Sequence, residues 1–294
     1  VVKKEMGMIS SKNTSGNIRN YIETLGDAVD YLKSTISPVG SRNFNSELIM
    51  KQEGEVPQYF YGSSFNQALY YAVNGWEAGA KELEKVVGTL VADLMGGMML
   101  DEYYYDVTGQ DFDLDRVLIG EPEAWMQTEQ YEVKAPAKHT LKLLISVEAM
   151  ASVGLDAIKT KGAAIAALVI ILERMRRFVE IELVGHTRHS SGCIETRTCL
   201  KKAGQDLDLG KLAFVLCNGG YLRQMVFAIE ERTGTPSQVS RMKNGNYGVS
   251  QESGQEDADI YIGSQMGLYS AGSVKTWVLN ELKKQGVELK EETI

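Results

Sequence analysis

The chain has 294 residues, 44% hydrophobic and 24% charged, with a mass of 32.5 kDa. That is the ordinary globular range, and it excludes collagen-like, disordered and disulfide-scaffold classes. Thirty-one basic residues stand against thirty-nine acidic ones, a net charge of −8, which argues against a polyanionic partner unless the basic residues are segregated. Three cysteines are too few and odd in number for a disulfide framework and point to a reducing compartment.

Val1 to Gly7 carries charge but no apolar run, so no secretory signal is expected and a cytoplasmic location is. From Asn17 to Ile36 the apolar residues Ile18, Tyr21, Ile22, Leu25, Val29, Leu32 and Ile36 recur every three or four positions, which predicts one amphipathic helix ending before Pro38. Ser64 with Gln67 three places on is a capping-box signature, and the helix it opens runs to Asn74-Gly75. A third helix is expected from Trp76 to about Met95, where Gly96-Gly97 breaks it. Met98 to Glu132 then turns to short acidic segments. Pro122 and Pro136 bracket a connection, so the division expected is a mainly helical region over 1–135 and a sheet domain over 136–294.

In the second half, Leu141 to Val147 reads as a buried central strand, followed by a long helix to about Arg177. Gly162 to Leu172 within it is the most apolar stretch, about half of the ~20 residues a membrane span needs. Val179 to Val184 and Cys193 to Leu200 alternate as strands. A helical stretch opens at Asp208, pauses at Asn218-Gly219-Gly220 and resumes to Arg232. Thr233 to Gly254 reads as a loop, Asp259 to Gly263 as a short strand, and Val274, Trp277, Val278 and Leu282 as the inner face of a last helix. Strands alternating with covering helices predict a three-layer α/β arrangement.

The charges are unevenly spread. Glu77 to Glu132 holds three basic and fourteen acidic residues, a net of −11, whereas Lys138 to Lys202 holds eleven basic and six acidic, a net of +5. A basic region of this kind could neutralise phosphates. The candidate nucleic-acid-binding residues are Arg174, Arg176, Arg177, Arg188, Arg197, Lys201, Lys202, Arg241 and Lys243, with Tyr247 as a stacking face. The competing reading of Arg174, Arg176 and Arg177 is that they complement a helix carboxyl terminus.

Enzymatic and metal motifs are thin. His186, His189, Cys193 and Cys199 have a spacing that fits no familiar zinc pattern. Asp111, Asp113 and Asp115 resemble half of a calcium loop but are followed by Arg116 at the glycine position and Pro122 at the twelfth. Neither a Walker loop nor a G-x-G-x-x-G turn is present. Glu121 and Glu123 read as a solvated acidic face. No cofactor and no catalytic residue is expected.

Several passages carry a resemblance: YGSSFNQALYYAVNGWEAG (Tyr61 to Gly79), IGEPEAW (Ile119 to Trp125), LKLLISVEA, KTKGAAIAALVIILE and LAFVLCNGGYLRQMVFAIEE (Leu212 to Glu231). In that order they resemble a tailed-phage family of uncharacterised proteins, over about Tyr61 to Gly286. The resemblance implies a von Willebrand A-like or Rossmann-like sheet in the carboxy-terminal half. The metal-binding version of that fold carries D-x-S-x-S after its first strand. Here Ser146, Val147, Glu148, Ala149 and Met150 stand there, so no metal-site motif is expected.

In general character the chain is also similar to the single-stranded-DNA-binding cofactors of podophages that package a virion RNA polymerase. That similarity implies a non-enzymatic role in transcription or replication. The partners it implies are single-stranded DNA and a phage RNA polymerase or other phage protein, with self-association on DNA left open and no membrane. The basic residues named above come from the charge count, not from this resemblance. Two alternatives remain: a von Willebrand A-like protein-interaction module without a nucleic-acid role, and an enzyme acting near Ser146 to Ser152, where open α/β sheets place ligands.

Overall fold

The computed structural model describes residues 9–14, 16–35, 62–95, 103–106, 111–112, 116, 122, 125–128, 140–148, 153–175, 177–189, 192–242, 257–264 and 271–286. The chain opens with an antiparallel hairpin, β1 (Ile9–Thr14) and β2 (Asn17–Ile22), followed by helix α1 (Leu25–Ser34). This corrects the single helix expected over 17–36. Ile18 and Ile22 are four apart, a spacing that suits a helix and a strand equally. With Asn20 also buried and Arg19 and Tyr21 exposed, the period is two. Thr24 then caps α1, its hydroxyl accepting the Asp27 amide at 3.1 Å.

Helices α2 (Phe65–Asn74) and α3 (Glu77–Met95) follow as the sequence predicts, α2 opened by the Ser64–Gln67 capping box. The acidic stretch contributes a small antiparallel sheet of β3 (Tyr103–Asp106), β4 (Asp111–Phe112) and β5 (Trp125–Thr128), with β5 in the middle. Beyond it, β6 (Thr140–Ser146), α4 (Leu155–Arg174) and β7 (Phe178–His189) form a βαβ unit whose strands are parallel neighbours from Thr140–Phe178 to Ser146–Val184. β8 (Gly192–Lys201) turns back antiparallel to β7.

Helix α5 (Leu209–Cys217) leads into a π-helical segment, Tyr221–Val226, continuous with α6 (Phe227–Thr233). A short helix, α7 (Pro236–Arg241), lies where only a loop is expected, started by Thr235 and Gln238 as a second capping box with proline in its first turn. Strand β9 (Ile260–Ile262) and helix α8 (Ala271–Lys284) complete the described chain.

The main sheet has the order β1-β2-β8-β7-β6-β9. β6, β7 and β9 run one way; β8 and β2 run the other. β2 pairs with β8 across the division expected at 135/136. The amino-terminal strands extend the carboxy-terminal sheet, and one cluster of buried apolar residues runs from Ile22 to Leu282.

Strand alternation gives the sheet two unlike faces. Leu141, Leu143, Ile145, Val179, Ile181 and Leu183 join that cluster, and α1 to α6 and α8 contribute to it. Helix α7 seats Met242, just past its end, on Ile18 and Ile194 of the same face. Among the described residues the helices therefore cover one face, and the second helical layer of a three-layer fold has no counterpart. α4 lies against α5 so closely that a Cβ at Gly162 would stand 2.4 Å from Cys217 Sγ and 2.8 Å from the Leu216 carbonyl. Among the described residues no single helix is long and apolar enough to cross a membrane. Leu209–Cys217 and Tyr221–Thr233 meet the length and composition criteria only together, bent by 74°.

Candidate functional site

The other face of the sheet is polar. β7 contributes Glu182 and His186, β8 Glu195 and Arg197, β6 Ser146, and β2 Arg19 and Tyr21. The register makes them neighbours: Glu195 lies between His186 and Arg19, and Arg197 between Val184 and Tyr21. Glu148, two residues past β6, sends its carboxylate to His186 Nδ1, and Glu195 Oε2 lies 3.4 Å from His186 Nε2. Glu195 Oε1 accepts from Arg197 Nε at 2.8 Å, and Arg19 Nε reaches Glu195 Oε2 at 3.8 Å. Arg197 also approaches Glu182 at 3.7 Å, and Glu182 pairs with Lys142 at 2.9 Å.

His186 is 1% exposed, Glu195 3% and Arg197 4%. Burial alone depresses the imidazolium, but carboxylates at both ring nitrogens outweigh it and raise the His186 pKa to about 9. Burial likewise raises Glu195, yet the facing His186 and Arg197 hold it below the usual carboxylate range. His186, Glu195 and Arg197 are thus a row of alternating charges at neutral pH, with the Glu148 carboxyl at the far ring nitrogen of His186.

Two further titratable groups flank it. Lys161 of α4 donates to the carbonyls of Ser146 (2.8 Å) and Gly263 (2.9 Å), which lie at the carboxyl ends of β6 and β9. Burial lowers its pKa to about 8 against the opposing pull of Glu148. On the apolar side Thr187 donates to Glu230 Oε2 at 2.6 Å. Burial pushes Glu230 up to about 8 despite that bond, so this carboxyl carries a proton at neutral pH.

The candidate nucleic-acid-binding cations are divided by the fold. Arg177 is 6% exposed and donates to the Gln285 carbonyl at 3.0 Å. Lys201 is 4% exposed, donating to the Val179 carbonyl at 2.9 Å and pairing with Glu173 at 2.6 Å. With Arg197 inside the ion row, these three cations are engaged in the interior and do not face solvent. Arg174, Arg188 and Lys202 are exposed and Arg241 is half-buried.

Those four do not lie at one end either. Arg188 sits opposite Cys193, whereas Lys202 follows Lys201, which pairs with Ile181 at the far end of β7. Seven residues of strand between Ile181 and Arg188 correspond to about 23 Å. Arg174 ends α4 just before β7 begins, on the Lys202 side. Arg241 on α7 lies at the Arg188 end of the sheet but on its helical face, because Gln238 of that helix donates to the Gly16 carbonyl in the β1–β2 turn, against Gly192, and Met242 packs on Ile18 and Ile194. Arg176, Lys243 and Tyr247 lie outside the described residues.

The candidate zinc ligand His186 has carboxylates at both ring nitrogens, and burial pushes the Cys193 thiol up to about 12, the wrong direction for a thiolate ligand. Arg19 and Tyr21 are not among the residues expected from sequence, and Glu148 falls within the Ser146 to Ser152 stretch of the enzyme alternative. The signal for the first two is the alternation of NIRNYI, and for the ion row it is Glu195-x-Arg197, two charges on one face of a strand.

No curated protein and no solved structure matches the chain. Residues 10–288, nearly the whole chain and both sides of the expected division, match the family described as a domain of unknown function, DUF7192, and the protein belongs to that family.

Proposed function

We propose that the protein is a non-enzymatic single-stranded nucleic-acid-binding protein, and that its contact residues are Arg19, Tyr21 and Arg188, the exposed groups of β2 and β7 on the polar sheet face. The observation that carries this reading is the grouping of Arg19, Tyr21 and Arg188 there. Arg19 has 53% of its side chain exposed, Tyr21 is 37% exposed, and Arg188 is exposed two residues past His186 on the same face. Two strand spacings and two residues separate Arg19 from Arg188, roughly 12 Å between backbones. Guanidinium groups at that separation, with a tyrosine ring beside them, suit phosphates and an unstacked base. The ion row beneath fixes the strands that carry them. A polymerase-cofactor role adds a protein partner to this contact, for which the acidic segment is the complementary surface.

The βαβ unit with a buried carboxylate, Glu148, just past β6 favours one second reading, a von Willebrand A-like interaction module. The test is fluorescence anisotropy with a labelled oligonucleotide of about 30 nucleotides, single- and double-stranded, over a range of salt. Preferential single-strand binding is expected. R19A/R188A is expected to flatten the salt dependence by about 1.4 in slope, the value for two phosphates of a single strand. R174A/K202A at the far end leaves the slope unchanged. No single-strand binding at low salt, or an unchanged slope in R19A/R188A, refutes the proposal.

A further inference from the structure

A second site lies on the helical side of the molecule. Between α3, α4, α5 and α8 a half-open cavity of about 650 Å³ is lined chiefly by apolar groups, a size within the usual range for small-molecule sites. Its shape follows from local sequence. Gly162 lets α4 close onto α5, so Cys217 forms part of the lining where the two helices touch. At another part of the lining a Cβ on Gly79 would stand 2.0 Å from the Trp76 ring. The missing side chain therefore lets the indole lie flat on the first turn of α3. Leu83, Val86 and Leu90 line the cavity from α3, and Val86 remains 51% exposed. A valine half in water within a concave apolar surface is what a hydrocarbon ligand would cover.

The charged groups at the cavity select the head group. Lys159 of α4 pairs with both oxygens of Glu82 of α3, 3.1 Å to each, a neutral strut between the two helices. Lys85, one turn along α3 from Glu82, also lines the cavity. The charged lining of Glu82, Lys85 and Lys159 therefore sums to +1. We infer that this cavity binds a small amphipathic carboxylate, with its chain along Leu83, Val86 and Ala163 and its head group at Lys85. It is separate from the polar sheet face, so its occupancy does not depend on the nucleic-acid reading.

Isothermal titration with sodium dodecanoate below its micelle concentration tests this, with dodecylammonium and 1-dodecanol as the charge-reversed and neutral probes. The expected result is saturable 1:1 binding of dodecanoate, at least tenfold tighter than either control. K85E, at an exposed position that leaves packing intact, is expected to weaken dodecanoate at least tenfold and turn the preference to dodecylammonium. A163F fills the cavity and is expected to abolish both. Absence of saturable dodecanoate binding, equal binding of 1-dodecanol, or an unchanged preference in K85E overturns the inference.

Discussion

Glu230 offers a perturbation whose effect can be worked from the structure. Its carboxyl is fully buried, accepts a 2.6 Å bond from Thr187 at one oxygen, and leaves the other oxygen without a partner among the described residues. Burial, partly opposed by Thr187 and His186, raises its pKa from 4.5 to about 8. Between those values the folded state holds a proton that the unfolded chain releases, so the native state binds more protons. Stability therefore falls as pH rises from about 4.5 to about 8 and levels off above that.

Each unit is worth about 1.4 kcal/mol, so at pH 7 the carboxyl has cost roughly 3 kcal/mol relative to low pH. The amide of E230Q keeps an oxygen for Thr187 and cannot ionise. Its unpaired amide group adds a pH-independent offset of about 1–3 kcal/mol. Urea unfolding of both proteins at pH 5, 6, 7 and 8 separates the two effects. The stability difference is expected to move in favour of E230Q by about 1 kcal/mol or more per unit, while contributions from His186 and Lys161, common to both proteins, largely cancel. A difference that stays constant across this range refutes a raised Glu230 pKa.

Other expectations follow from the same contacts. H186Q removes the cation between Glu148 and Glu195, a loss of about 3–5 kcal/mol in urea unfolding. Because the folded His186 pKa is raised to about 9 from 6.5, its contribution is complete below pH 6.5 and is lost as pH rises through about 9. The H186Q deficit is therefore expected to be largest near pH 6 and smallest near pH 9. G162A places a methyl group 2.4 Å from Cys217 Sγ and is expected to cost about 1–3 kcal/mol by forcing α4 from α5. A midpoint within error of the parent contradicts that contact. S64A removes the hydroxyl that accepts the Gln67 amide at 3.3 Å, with an expected loss of about 1 kcal/mol.

The elements legible in the sequence are those whose signal is local. The apolar run at Leu141, the capping box at Ser64 and the glycine stop at Gly286 each lie within a few residues of what they determine, and β6, α2 and α8 fall where they place them. β2 is decided elsewhere. Ile18 pairs with Ile194 and Ile22 with Thr198, 176 residues away, and no window around Asn17 contains the strand β8 that makes this segment part of the sheet.

The basic residues follow the same logic. A charge count records that Arg197 and Lys201 are cations but not that Glu195 and Glu173 take them up. A net of +5 over a segment is therefore a poor guide to a positive surface when much of it lies in strands. There the informative quantity is the partner two residues away or across the ladder. Arg197 meets Glu195 by the first route, and His186 meets Glu195 by the second. Buried ion rows of this kind are often no more stabilising than apolar packing of the same volume, and Leu144 and Val184 on this face are fully buried. What distinguishes the charged part of the face is its position, between the Arg19–Tyr21 edge and Arg188. Breaking the row at His186 while keeping those three exposed groups, as H186Q does, therefore separates a structural role from a binding role. A scaffold for the contact predicts weaker nucleic-acid binding under conditions where H186Q is still folded, with the salt slope unchanged because no phosphate contact has been removed.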